Sequence, residues 1–140
     1  MISDDDYQEA LATAGRLLGH PLELPLAPGE PASGNDFRKV ATAHAFADSW
    51  PRTAALSTHD RALVSVAVAA TLGAVEPLRG QLRIALHNGV TKEEIVDTFI
   101  HIAVYAGVAR AFETYQIALD VFAEHFRQAE QPDSTTTTES

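Results

Sequence analysis

The side chains best suited to chemistry are concentrated in a short stretch. Glu76, Arg79, Gln81 and Arg83 fall within eight positions. Arg79 and Arg83 are four apart and share one face of a helix. Glu76 is three before Arg79 and seven before Arg83, so a carboxylate and two guanidiniums occupy one stripe. Such a stripe suits bidentate capture of a substrate carboxylate. Taken alone, it reads more readily as an exposed ladder of helical ion pairs. Gln81 lies off the stripe, nearer the adjacent face. His101 and Tyr105, also four apart, form a candidate proton-transfer pair. Among Ile100, Ile102, Ala103 and Val104 the same His reads as a core histidine with an ordinary hydrogen bond. His87 precedes Asn88-Gly89, where a helix C-terminus favours a cationic imidazole, so capping accounts for it. His59 falls in a helix first turn and reads as exposed, and His44 has no assigned role. The six histidines show no HxxxH or HExxH spacing, and no metal site is expected. GxGxxG, P-loop and GxSxG patterns are absent. Ser65 sits inside an apolar helix without a neighbouring base, so it is not read as a nucleophile. Asp60 and Arg61 open an apolar helix, and Asp48 and Trp50 close another. They read either as surface groups or as the inner charges of a pocket between helices, which is where bundles build sites.

The elements that must hold these residues read as helices. Asp4 to Leu18 carries acids in its first turn and Arg16 in its last, matching the helix dipole. Four prolines (Pro21, Pro25, Pro28, Pro31) with Gly19, Gly29 and Gly34 mark an ordered or semi-ordered connector over 19–36. Asn35 is expected to cap a second helix running to Ser49. Ser57-Thr58-His59-Asp60 begins a third like a capping box, with Asp60 in place of the usual Glu. This helix, to Leu72, is apolar nearly all round and is expected to be central. A fourth has Pro77 in its first turn and stops at Asn88-Gly89. Thr91-Lys92-Glu93-Glu94 is a full capping box for a fifth, ending before Gly107. A sixth begins near Ala109 and carries Phe112, Tyr115, Leu119, Phe122 and Phe126, a stripe expected to bury against the bundle or a partner chain. No segment alternates with period two. The expected fold is an all-α bundle of about six helices in one domain, residues 1–130, followed by a disordered polar tail over 131–140.

Composition narrows the function. Ten Lys and Arg against nineteen Asp and Glu give a charge of −9, which argues against gripping a nucleic-acid backbone. Without cysteine, disulfides, Fe–S clusters, thiolate zinc, thiol peroxidase chemistry and Cys nucleophiles are excluded together. The N-terminus is acidic where a secretion signal is basic, and the longest apolar run, Ala62 to Val75, is too short to span a bilayer. A soluble cytoplasmic protein is expected.

With His59-Asp60-Arg61-Ala62-Leu63, the run from Leu78 to Thr91 and Val104-Tyr105-Ala106-Gly107-Val108 in that order, residues 48–124 resemble the carboxymuconolactone decarboxylase family, with its alkylhydroperoxidase-D-like fold. The resemblance is carried by Asp48-Ser49-Trp50, His59-Asp60-Arg61-Ala62-Leu63, Ala70-Thr71-Leu72-Gly73 and the run from Leu78 to Thr91. Glu93-Glu94-Ile95 and Val104-Tyr105-Ala106-Gly107-Val108 complete it. It implies a cofactor-free, all-α subunit that packs into a homo-oligomer, a trimer or a hexamer. The family's peroxidase branch needs a CxxC pair, which this chain lacks. The lactone decarboxylase branch has an acid where Glu76 stands, arginines at Arg61 and Arg83, and a His where this chain has Gln81. Its Pro-Ala-Ala-Asn-His after the Tyr-x-Gly-Val block is here Ala109-Arg110-Ala111-Phe112-Glu113. Gln cannot exchange a proton near neutral pH as His does. Phe112 in place of Asn would suit a more apolar substrate, and Glu113 could supply acid–base chemistry if burial raised its pKa.

The resemblance thus implies a cofactor-free decarboxylase, or a related proton-transfer lyase or isomerase, acting on a carboxylated lactone or another small carbonyl compound. A specialised substrate, as in natural-product tailoring, fits the altered residues. Glu76, Glu113 and His101 are the expected proton-transfer residues. Arg61, Arg83, Gln81, Tyr105, Phe112 and Trp50 are expected to line the substrate. The alternative is a non-catalytic ligand- or partner-binding oligomer on the same scaffold.

Overall fold

The computed structural model describes residues 2–130, so the tail expected over 131–140 lies outside the described residues. Six helices form an all-α bundle, and no strand occurs among the described residues. No helix there is long and apolar enough to cross a membrane.

Helix α1 (Asp4–Leu18) starts where the Ser3 hydroxyl accepts the Asp6 N–H at 3.1 Å, with Asp4, Asp5 and Asp6 against the positive end of the dipole. It stops at Gly19, whose φ of +82° is the left-handed conformation that glycine adopts without cost. Ala10, Ala14 and Leu17 face inward. The connector that follows is ordered around Glu30. Arg38 donates two hydrogen bonds of 2.7 Å to its carboxylate, and the Ala27 N–H donates a third at 2.8 Å. These contacts, the Arg38 bond first, hold the Glu30 carboxyl down from 4.5 to about 2.

Helix α2 (Gly34–Ala43) begins at Gly34 rather than under an Asn35 cap. Asn35 lies inside the first turn, and Ser33 makes no side-chain capping bond. The chain then widens into a π-helical segment, His44–Ser49, in which the Trp50 N–H reaches the Ala45 carbonyl at 2.9 Å. The extra residue in that turn delivers Trp50 to the core, where it is buried.

Helix α3 (Thr58–Leu72) is capped by Ser57, which accepts the Asp60 N–H at 3.1 Å. Asp60 does not return the bond as a capping-box acid would. Its carboxylate meets the His59 Nδ1 at 2.8 Å, while the His59 Nε2 lies 2.8 Å from Glu94. The Asp60 bond first and the Glu94 bond second raise the His59 pKa above its ordinary value. Helix α3 packs on α4, α5 and α6 through Ala62, Val66, Ala69 and Ala70. It is not buried all round, because Val64, Val68 and Leu72 face outward.

Helix α4 (Val75–His87) folds back on α3 across Gly73-Ala74, with Leu78, Leu82 and Ala85 fully buried. The Asn88 amide then donates to the Leu17 carbonyl at 2.8 Å and to that of Ile84 at 2.7 Å, fastening the end of α4 to the end of α1. Helix α5 (Lys92–Ala106) has the complete capping box read from Thr91 and Glu94. Helix α6 (Val108–Glu130) follows after Gly107 alone. Its inward face is not the aromatic stripe. Ala111, Thr114, Ala118 and Val121 are buried, whereas Phe112, Leu119 and Phe126 are exposed and Tyr115 and Phe122 are partly covered. Small residues let the helix axis approach the bundle closely, and the large rings are displaced to its flanks.

Candidate functional site

Helices α1, α4 and α6 leave a cavity of about 380 Å³ between them at one end of the bundle. Helix α4 contributes Arg83 and His87, four apart and hence on one face. Helix α6 contributes Glu124, His125 and Gln128 from two successive turns, and the segment after α1 contributes His20. Leu18, Leu86 and Val121 supply apolar wall. Two local features hold this geometry. The Asn88 clamp on Leu17 keeps the ends of α1 and α4 together. Gly19 lets the His87 ring lie against its backbone, where a Cβ would come within 2.5 Å of the ring.

Arg83 and Glu124 form a two-point ion pair across the cavity. The Arg83 Nε donates to Glu124 at 3.1 Å and an Nη donates at 3.4 Å. Both remain partly exposed, with 40% of the Arg83 side chain and 35% of that of Glu124 accessible. One turn back, Arg79 lies 3.5 Å from Asp120. The two pairs step forward together in sequence, so α4 and α6 run parallel. The cavity thus combines a guanidinium, a carboxylate and three imidazoles beside an apolar wall. It can hold an organic anion and offer it proton donors. No group of three or more His, Asp or Glu among the described residues is arranged to hold a metal ion.

The structure separates the residues expected from the sequence to act together. Of the nine, Arg83 alone lines this cavity. Glu76 is at the start of α4 with 82% of its side chain exposed, 3.4 Å from Arg79. The stripe is therefore an ion-pair ladder at Glu76 and Arg79, and becomes a cavity wall only at Arg83. Arg61, at the start of α3, donates to the Arg52 carbonyl and braces the loop over 51–56. Its Nε and the Gln81 Oε1 are the buried side-chain polar atoms without a hydrogen-bond partner among the described residues. Trp50 is core. His101 and Tyr105 do meet, with ring centroids 4.9 Å apart and planes tilted by 56°, but on the outside of α5. Phe112 borders a shallow apolar groove of about 190 Å³ between α5 and α6, with Phe99, Ile100 and Tyr115, and Glu113 beside it is exposed.

Sequence reasoning missed His20, Glu124, His125 and Gln128, and read His87 as a cap alone. One signal was available. Asp120 and Glu124 repeat, with opposite charge, the four-residue spacing of Arg79 and Arg83, as two helices laid side by side require.

Fold and cavity together define an all-α bundle protein with an open, ionisable pocket between helices. The sequence pattern of the carboxymuconolactone decarboxylase family matches residues 35–120, and the chain belongs to that family. It is similar to a 4-carboxymuconolactone decarboxylase of Acinetobacter baylyi (strain ATCC 33305 / BD413 / ADP1), with 35% identity over 89 residues. That match covers 64% of this chain and 66% of the relative.

Proposed function

We propose that the protein is a decarboxylase-like lyase or isomerase that works by proton transfer on a small carboxylated lactone or a related carbonyl compound, without a cofactor. Family membership supports the reaction class. The single observation that carries the assignment to a place is the cavity that joins Arg83 to three imidazoles. In this reading Arg83 holds a substrate carboxylate or the developing enolate oxygen. When the C–CO2 bond breaks, its electron pair passes into the conjugated carbonyl. An imidazole of His87 or His125 then donates the proton that quenches the enolate at carbon, the task for which Gln81 is unfit. Leu18, Leu86 and Val121 give the substrate's carbon skeleton an apolar contact within an otherwise polar lining.

The test is product analysis. Purified protein incubated with 4-carboxymuconolactone and with a panel of apolar carboxylated carbonyl compounds is expected to release CO2 from at least one of them. Arg83→Gln should lower kcat/KM on that compound about 10- to 100-fold, the weight of one charge-assisted contact. Folded protein that turns over none of the panel overturns the enzymatic reading. Specific binding without turnover would then support the non-catalytic alternative, which Gln81 favours.

We propose also that the chain forms a homo-oligomer, a trimer or hexamer. The support is an outward apolar surface comprising Val64, Val68 and Leu72 of α3, Val104 and Tyr105 of α5, and Val108 and Phe112 of α6. His101 and Glu113 are exposed on the same helices and would gain partners in such an assembly.

A further inference from the structure

We propose that Glu124 is a stand-in for the ligand: an incoming organic carboxylate replaces it on Arg83, and the site opens by exchange of one carboxylate for another. The proposal rests on reading the cavity as the substrate site. The observation behind it is that Arg83, the guanidinium in this cavity, is already engaged at two points by Glu124. A carboxylate entering the cavity meets that pair first. Guanidinium recognises carboxylates through paired N–H donors, and Glu124 uses the Nε edge together with one Nη. The pair is open to exchange because both partners are about one-third exposed or more, and an ion pair so placed is held only weakly. The contact distances of 3.1 and 3.4 Å are long for an Arg–carboxylate pair.

Glu124 released from Arg83 stays in a cavity whose other ionisable side chains are His20, His87 and His125. These imidazoles are its natural new partners. Exchange therefore has two effects. It admits only ligands whose carboxylate can compete with a built-in one. It also brings a carboxylate beside the imidazoles, where it accepts their N–H hydrogen bonds and so orients them in the cavity. The ligand class that fits is a small organic carboxylate whose body rests on Leu18, Leu86 and Val121 beside Gln128 and the imidazoles.

The test is calorimetric titration of the full chain with benzoate at fixed ionic strength, with the His imidazole resonances followed by NMR. Exchange predicts that Glu124→Gln tightens benzoate binding about tenfold, because the competitor has lost its charge. Arg83→Gln should abolish binding, and the His87 and His125 resonances should move during the wild-type titration. On any compound that the enzyme turns over, Glu124→Gln should lower KM and kcat together, a split that loss of a merely structural ion pair would not give. Unchanged or weaker benzoate binding in Glu124→Gln overturns the proposal. Glu124→Asp, one methylene shorter, is the second variant and should show a smaller gain. If neither variant folds, Glu124 is a structural counter-ion and the proposal falls. These readouts need no turnover. Tightened binding with no product would leave the exchange standing and remove the lyase reading, and product without tightened binding would do the reverse.

Discussion

At the scale of single residues, His87 owes its position to a side chain that is absent. Gly19 combines a left-handed backbone with room for the imidazole, and both needs are lost together on substitution. Gly19→Ala is expected to cost about 1–2 kcal/mol from the positive φ alone. It should also push the His87 ring out of the cavity. Urea denaturation measures the first, and the His87 NMR resonance reports the second. The cavity was only partly legible in the sequence. Arg83 stood out because its spacing from Arg79 and Glu76 is regular along one helix. Glu124 lies 41 residues further on, and the trace of their pairing in the sequence is the matched four-residue spacing of Asp120 and Glu124. His20 follows a helix stop in a proline-rich stretch, where periodicity carries no information. The exposed Glu76 illustrates the converse: spacing placed it on the stripe of Arg83, but spacing does not say which part of a stripe reaches a cavity.

At the scale of elements, the stops and starts written in caps were the legible part. Ser57 and Thr91 each accept a backbone N–H at the starts read from the sequence, whereas Ser3 caps a helix for which no cap was read and Asn35 lies inside its helix. The π-helical segment before Trp50 was not legible, because the i to i+5 bond has no side-chain signature in His44–Ser49. The aromatic stripe of α6 was legible as a face but not as one turned from the bundle: periodicity identifies a face, while closeness of approach decides which face packs inward. The connector over 19–36 gives a prediction of its own. Glu30 has a folded pKa of about 2, below its unfolded value of 4.5, so its pairing with Arg38 stabilises the fold fully above pH 4.5. That contribution is lost as pH falls from there through about 2. Thermal denaturation between pH 6 and 2 is expected to show a falling Tm for the wild type and a flatter profile over the same interval for Glu30→Gln. Identical slopes would mean that the Glu30 contact does not persist in solution.

At the scale of the whole molecule, charge and apolar surface act in opposition. The chain carries a net charge of −9 yet exposes Val64, Val68, Leu72, Val104, Tyr105, Val108 and Phe112. Light scattering after gel filtration is expected to find a multiple of the 15.0 kDa chain. Val68→Glu combined with Val104→Glu should shift it to the single chain with helicity unchanged, because both side chains already face outward. A wild-type mass of one chain would refute self-association. A different consequence follows from where the pocket walls originate. The family pattern covers residues 35–120, and of the lining residues only Arg83, Leu86 and His87 fall inside it. His20 and Leu18 come from the stretch before it, and Val121, Glu124, His125 and Gln128 from the stretch after. On the proposed reading of this cavity as the ligand site, six of its nine lining residues stand outside the segment that places the chain in its family. Membership over that segment supports the proposed reaction class, and the flanking residues are the place to test which ligand the proposed site prefers.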